Sequence, residues 1–202
     1  AASPGIRALA AMLVDAGGYF PETDQAFDQS WFLMDAMKLI GTHAVGVGPR
    51  DLRFGASYLA ATARGKKLPL VCANLISKKT RTTLVDPYLI KKVGNVTVGV
   101  FGLISDKQDL GPSKDSLSVT DPVTAAQKIV PAMRKKGATV IVLLSQLGKV
   151  ESEDLVTAVD GVDAVICGRN VPVLQKGRMI KNTVACYGGE QGQNIGRTIV
   201  TL

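Results

Sequence analysis

Short apolar runs of strand type alternate with helix-type stripes along almost the whole chain, and no other feature of the sequence limits its fold so narrowly. Apolar runs predict strands at residues 11–16, 44–47, 70–75, 140–144, 162–167 and 183–187, with a last one at 197–202. Helices fall between them. Residues 30–40 place Phe32, Leu33, Ala36, Met37 and Ile40 on one stripe, which predicts a helix with that face inward. Further helices are expected at 52–64 and 153–159. Asp121-Pro122 opens another, because aspartate caps free N–H groups and proline suits the first helical position; Gly137 closes it after Lys136. Strands at 88–93 and 96–104 meet across Gly94-Asn95, a hairpin signal. One hairpin inserted into an alternating series predicts an α/β sandwich with a mixed sheet. No internal repeat, linker or low-complexity tract interrupts it, so residues 1–202 read as one domain.

Composition narrows the function classes. With 46% hydrophobic and 20% charged residues, the 202-residue chain can bury one substantial core. Its longest apolar runs, such as residues 140–144, fall far short of the roughly 20 residues of a membrane-spanning helix. Residues 1–5 have neither the basic nor the apolar segment of an export signal. The formal charge of +7 would favour acidic partners, but the lysines are scattered in pairs, at 66–67, 78–79, 91–92 and 135–136, as on a solvated surface. With 5% aromatics there is no interleaving of basic groups and stacking rings, which argues against a nucleic-acid partner. Cys72, Cys167 and Cys186 stand apart in apolar stretches and read as inert core thiols. No haem-attachment motif is present.

Functional groups of open α/β sheets gather in the loops that follow the strands. Those loops are residues 15–20, 46–55, 145–148 and 167–172, and they carry glycine, proline, arginine and glutamine.

Seven segments set these loops in a recognisable frame: VDAGGYF, MDAMKLIGTHAVGVGPRDLRFG, LPLVCANLI, PYLIKKVGNVTVGVFGLIS, DPVTAAQKIVPAMRKKGATVIVLLSQLG, VDAVICGRN and YGGEQGQNIGRTIVTL. In this order and spacing they resemble the metallophosphoesterase superfamily of calcineurin-like fold, in its branch of bacterial and extracellular 5′-nucleotidases. The resemblance implies two divalent metals, held by acidic, amide and imidazole ligands, that activate a water for attack on phosphorus. At the matched positions those ligands have changed. Gly18 stands where the family has its metal-bridging aspartate, Pro49 where it has the amide ligand, and Arg50 where it has the histidine that assists the leaving group. Gln146 replaces a further histidine, and Arg169 and Val171 replace the G-H-x-H pair. The D-x-H motif has no counterpart before Leu13, so the first strand is expected to be missing or reduced to residues 6–10. The substrate domain of larger relatives is expected to be absent after Leu202.

Without such donors no metal, cofactor or catalytic residue is expected. The leading expectation is a catalytically silent phosphoesterase-fold domain, a pseudoenzyme acting as a binding or assembly module. By the resemblance it works in the periplasm or outside the cell, with a protein partner, which by analogy includes another exported or redox protein. Two alternatives stay open: a hydrolase with residual activity, in which arginines replace metal electrostatics, and a phosphate or nucleotide sensor. Arg50, Arg53 and Arg169, with Asn74, Gln146 and Asn170, form the candidate site for a small anion, because guanidinium groups pair bidentately with phosphate or carboxylate. Equally, these arginines neutralise nearby acids or point to solvent. His43 reads as a surface imidazole rather than a base, and Asp15 as a hydrogen-bond acceptor at a strand end.

Overall fold

The computed structural model describes residues 11–23, 26–189 and 192–200. Two β-sheets face each other and each carries helices on its outer side. The smaller sheet holds three parallel strands in the order β1 (Val14–Asp15), β2 (Ala44–Gly46) and β3 (Leu70–Val71). The larger sheet is mixed. Its parallel centre runs β6 (Val96–Ile104), β8 (Val140–Gln146), β9 (Ala164–Cys167) and β11 (Thr183–Tyr187), flanked by antiparallel β5 (Tyr88–Val93) and β10 (Arg178–Ile180). A separate ribbon pairs β4 (Leu75–Ser77) with β7 (Leu117–Val119). The α/β sandwich with a mixed sheet is thus the observed architecture.

Burial explains the layering. Helices α3 (Pro122–Lys135) and α4 (Lys149–Ala158) cover the outer face of the large sheet through Ala126, Val130, Met133, Leu155 and Val156 against Phe101, Ile141, Leu143 and Val165. Asp121 caps α3 as its sequence implies, its side chain accepting from Thr124 N at 2.6 Å. Helices α1 (Ala26–Leu39) and α2 (Ala56–Lys66) cover the small sheet through Met34, Leu59 and Ala63. They are tied together by Lys66, whose Nζ lies 2.6 Å from Asp35 and 3.3 Å from the centre of the Trp31 ring. Between the sheets lie Ala44, Val71, Val100, Val140 and Leu144.

Several sequence expectations need correction. The stripe expected on α1 is only partly covered: Phe32 is 72% exposed and Ile40, just past the helix, 65%, while Leu33, Ala36 and Met37 are half-buried and Ser30 and Met34 are the fully buried positions. The 52–64 helix is split into a 3-10 turn at Pro49–Leu52 and α2. The 70–75 strand is broken, its two ends joining different sheets. The 197–202 strand does not form within its described residues 197–200. The 6–10 run, expected as the remnant of a first strand, lies outside the described residues.

Candidate functional site

Strands β1, β2, β8 and β9 run parallel within their sheets, and their C-terminal ends converge where the two sheets meet. At the centre of that convergence lies the side chain of Gln146, the last residue of β8 and 2% exposed. Its Nε2 donates to Gly17 O at 2.7 Å and to Ala16 O at 3.1 Å, joining the loop after β1 to the opposite sheet. Glycines make room for it. A Cβ at Gly48 would stand 2.5 Å from Gln146 Oε1, and one at Gly168 2.5 Å from Nε2. Gly18, at φ +77°, closes the third side. The Gly17-Gly18, Gly48 and Gly168 loops therefore form a cradle filled by one carboxamide.

Beside it, Asp51 staples two of these loops. Its Oδ2 accepts from Gly18 N at 2.7 Å and Gly48 N at 2.8 Å, and its Oδ1 accepts from Phe20 N at 3.2 Å. Asp51 is fully buried. Burial pushes its carboxyl up to about 6 although three N–H donors pull the other way, and the nearby Asp15 adds repulsion. Asp15 is itself raised by burial, while its Oδ1 accepts from Gly17 N at 2.7 Å. The sequence reading missed Asp51. Its signal was a carboxylate in the otherwise uncharged-to-basic turn Gly48-Pro49-Arg50-Asp51, directly before a buried leucine.

The six candidate anion-site residues do not meet in one place. Arg50 and Arg53 line one open hollow of about 270 Å³, together with Glu22, Asp109 and Pro112. Arg53 also donates from Nη1 to Pro21 O at 3.1 Å. Arg169 and Asn170 line a second hollow of about 300 Å³ with Lys149 and Glu151. There the Arg169 guanidinium lies on backbone, donating from Nε to Gln146 O at 3.1 Å and from Nη2 to Leu147 O. Asn74 lies in neither. It is fully buried and bridges β6 to the strand region after β7, donating to Ile104 O at 2.7 Å and Thr120 O at 3.0 Å and accepting from Ile104 N at 3.0 Å. His43 is half-buried and its Nδ1 accepts from Leu13 N at 3.2 Å. Cys72 and Cys167 are buried and their thiols pushed up to about 12 by that burial; Cys186 is half-buried.

These side chains do not suit a divalent metal pair. The carboxamide nitrogen in the cradle has no lone pair to give, both Asp51 oxygens are engaged by N–H groups, and the loops carry fixed positive charge at Arg169. Among the described residues no three His, Cys, Asp or Glu side chains are grouped so that they could hold a metal ion.

The relatives and structural neighbours of this chain are calcineurin-like phosphoesterases and nucleotidases, and the chain has their fold. It is 34% identical over 151 residues to a 2′,3′-cyclic-nucleotide 2′-phosphodiesterase/3′-nucleotidase of Salmonella typhimurium, covering 62% of this chain and 23% of that protein. The trifunctional nucleotide phosphoesterase YfkN of Bacillus subtilis is 29% identical over 161 residues, 67% of this chain and 11% of YfkN. A 5′-nucleotidase precursor from Thermus thermophilus superposes with a TM-score of 0.71 at 30% identity, over 80% of this chain and 33% of that one. The sulfate thiohydrolase SoxB of Thermus thermophilus shares the fold at a TM-score of 0.77 and 17% identity, over 87% of this chain and 33% of SoxB. No family model matches the chain. Matched segments span about a quarter of the length of the first curated relatives, 23%, 23% and 24%.

Proposed function

We propose that this domain does not hydrolyse phosphoesters and works as a binding or assembly module of an exported nucleotidase-type protein. One observation carries the reading: the Gln146 carboxamide fills the glycine cradle at a position where the family resemblance implies a metal ligand, and it is held there by two backbone carbonyls. Hydrolysis through a metal-bound hydroxide needs several anionic or imidazole donors around one point, and the cradle supports none of them. The test is turnover of nitrophenyl phosphate and of 2′,3′-cyclic AMP with added manganese, before and after chelation. No chelator-sensitive turnover is expected. Turnover that chelator abolishes and manganese restores overturns the proposal.

A second reading, a small-anion site, is favoured by the pairing of Arg50 and Arg53 in one hollow. Guanidinium groups suit phosphate, but Glu22 and Asp109 line the same hollow and weaken the field there. Phosphate is expected to raise the unfolding midpoint in a saturable way, and Arg50→Ala with Arg53→Ala to remove that rise. A rise that survives the double substitution rules out this hollow as the site.

A further inference from the structure

Lysine pairs that look scattered in the sequence are not all scattered in the fold. Residues 77–82 close a tight turn beyond β4, with Ser77 N donating to Thr82 O and Arg81 N to Ser77 O, both at 2.8 Å. Lys78, Lys79 and Arg81 stand in that turn, and all three are exposed. The turn before β7 is fastened to it, because Lys78 N donates to Ser116 O at 2.9 Å and Lys78 Nζ to Lys114 O at 2.7 Å. Lys114 is likewise exposed. One end of the β4–β7 ribbon therefore gathers four cations from two stretches of sequence, against the single carboxylate of Asp115.

These charges are not used inside the molecule. Lys66, Lys107, Arg134, Lys149 and Arg178 each face a carboxylate within 3.6 Å, whereas Lys78, Lys79, Arg81 and Lys114 form no ion pair among the described residues. The turn also holds them in place. Thr80 N donates to Ser77 Oγ at 3.3 Å, the Thr80 and Thr82 hydroxyls lie 2.8 Å apart, and Arg81 takes φ +59°. A surface fixed in this way loses less freedom on binding than a basic tail would. Residues 77–83 and 113–116 contain no large apolar or aromatic side chain. Protein interfaces centre on such anchors and single-stranded nucleic acids on stacking rings, so neither partner fits. A dense, wholly hydrophilic cluster of cations suits a partner that offers many negative charges and needs no pocket, which is the headgroup layer of an anionic lipid bilayer.

We infer that this end of the ribbon binds anionic lipid surfaces: Lys78, Lys79, Arg81 and Lys114 lie against the phosphate headgroups, and no residue of the cluster enters the hydrocarbon. The contact is electrostatic and reversible, and it weakens as salt shortens the reach of the field. It holds the domain at a membrane although no helix among the described residues is long and apolar enough to cross one. The proposal is independent of whether the domain hydrolyses phosphoesters.

Co-sedimentation of the full chain with vesicles tests it, using phosphatidylcholine alone and phosphatidylcholine mixed with phosphatidylglycerol. The chain is expected on the mixed vesicles at about 0.1 M salt, and neither on the neutral ones nor at about 1 M, where the screening length falls from about 10 Å to about 3 Å. Lys79→Glu with Lys114→Glu reverses half of the cluster and should weaken binding roughly 30-fold or more, at about fivefold per cation removed. Lys91→Glu with Lys176→Glu makes the same change of charge at two exposed positions outside the cluster and should weaken binding less than about threefold. Both double variants should keep the wild-type circular dichroism, since all four side chains are exposed. A wild-type chain that stays off the mixed vesicles at about 0.1 M salt overturns the proposal. Equal losses in the two double variants overturn it as well, because net charge and not this cluster would then be the cause. So does tighter binding to soluble polyglutamate than to the mixed vesicles, which would assign the cluster to an acidic protein.

Discussion

Asp51 is a carboxylate held in the interior by backbone N–H groups, with no cation paired to it among the described residues, and that arrangement has a pH signature. Its folded value, about 6, lies above the 3.8 of an exposed aspartate because burial disfavours the ion. A raised acid favours the folded state when protonated. Its contribution is therefore fully present below the unfolded value and is lost as pH rises through about 6. Between pH 4 and pH 7.5 the loss amounts to about 2 kcal/mol. Asp51→Asn has no such titration, although it keeps one oxygen for the three donors and is weaker at every pH. The advantage of the wild type over Asp51→Asn, measured by urea unfolding, should be about 2 kcal/mol larger at pH 4 than at pH 7.5. Parallel stability curves for the two proteins would show that Asp51 does not titrate in this range. At the same scale, Gln146 was legible as a polar side chain at a strand end, but its role was not. The amide's partners are 129 and 130 residues away in sequence, and only folding brings them together.

Secondary structure was most legible where local chemistry alone decides it. The β5–β6 hairpin stands at its expected limits, since Val93 pairs with Val96 and the two-residue turn starts at Gly94 with φ +60°. Helix α3 likewise starts and stops where Asp121-Pro122 and Gly137 place it, Gly137 taking φ +90° just beyond the last turn. Legibility failed where tertiary partners decide. On α1 the apolar residues nearly encircle the helix, so periodicity cannot choose a face, and the small sheet and α2 select Ser30 and Met34 instead of Phe32 and Ile40. Residues 195–200 have strand chemistry but no adjacent strand within the described residues, and propensity without a partner makes no ladder. The break between β3 and β4 has a similar cause. Ala73 leaves the small sheet to donate from its N–H to Gly102 O at 2.8 Å, carrying the chain across to the large one.

That crossing sets the spacing of the whole molecule. At Gly102 the backbones of the two sheets come so close that a Cβ would stand 2.1 Å from Val71 O, a contact no side-chain rearrangement relieves. Gly99, on the same strand, faces the opposite way, and a Cβ there would first meet Met133 Sδ at 2.9 Å, the flexible end of a helix side chain. The same added methyl therefore asks for a sheet to move at one position and a thioether to turn at the other. Gly102→Ala is expected to lower stability by about 3 kcal/mol, at the upper end for overpacking, and Gly99→Ala by about 1 kcal/mol. Because Ala16, Gly46 and Gln146 stand at the same inter-sheet seam, parting the sheets at Gly102 should also loosen the cradle. Hydrogen exchange at the Gly17 and Gly18 amides should then quicken in Gly102→Ala and not in Gly99→Ala. Equal losses in urea unfolding, with unchanged exchange at the cradle in both proteins, would mean that the two sheets adjust independently and that their approach at Gly102 does not hold the site in place.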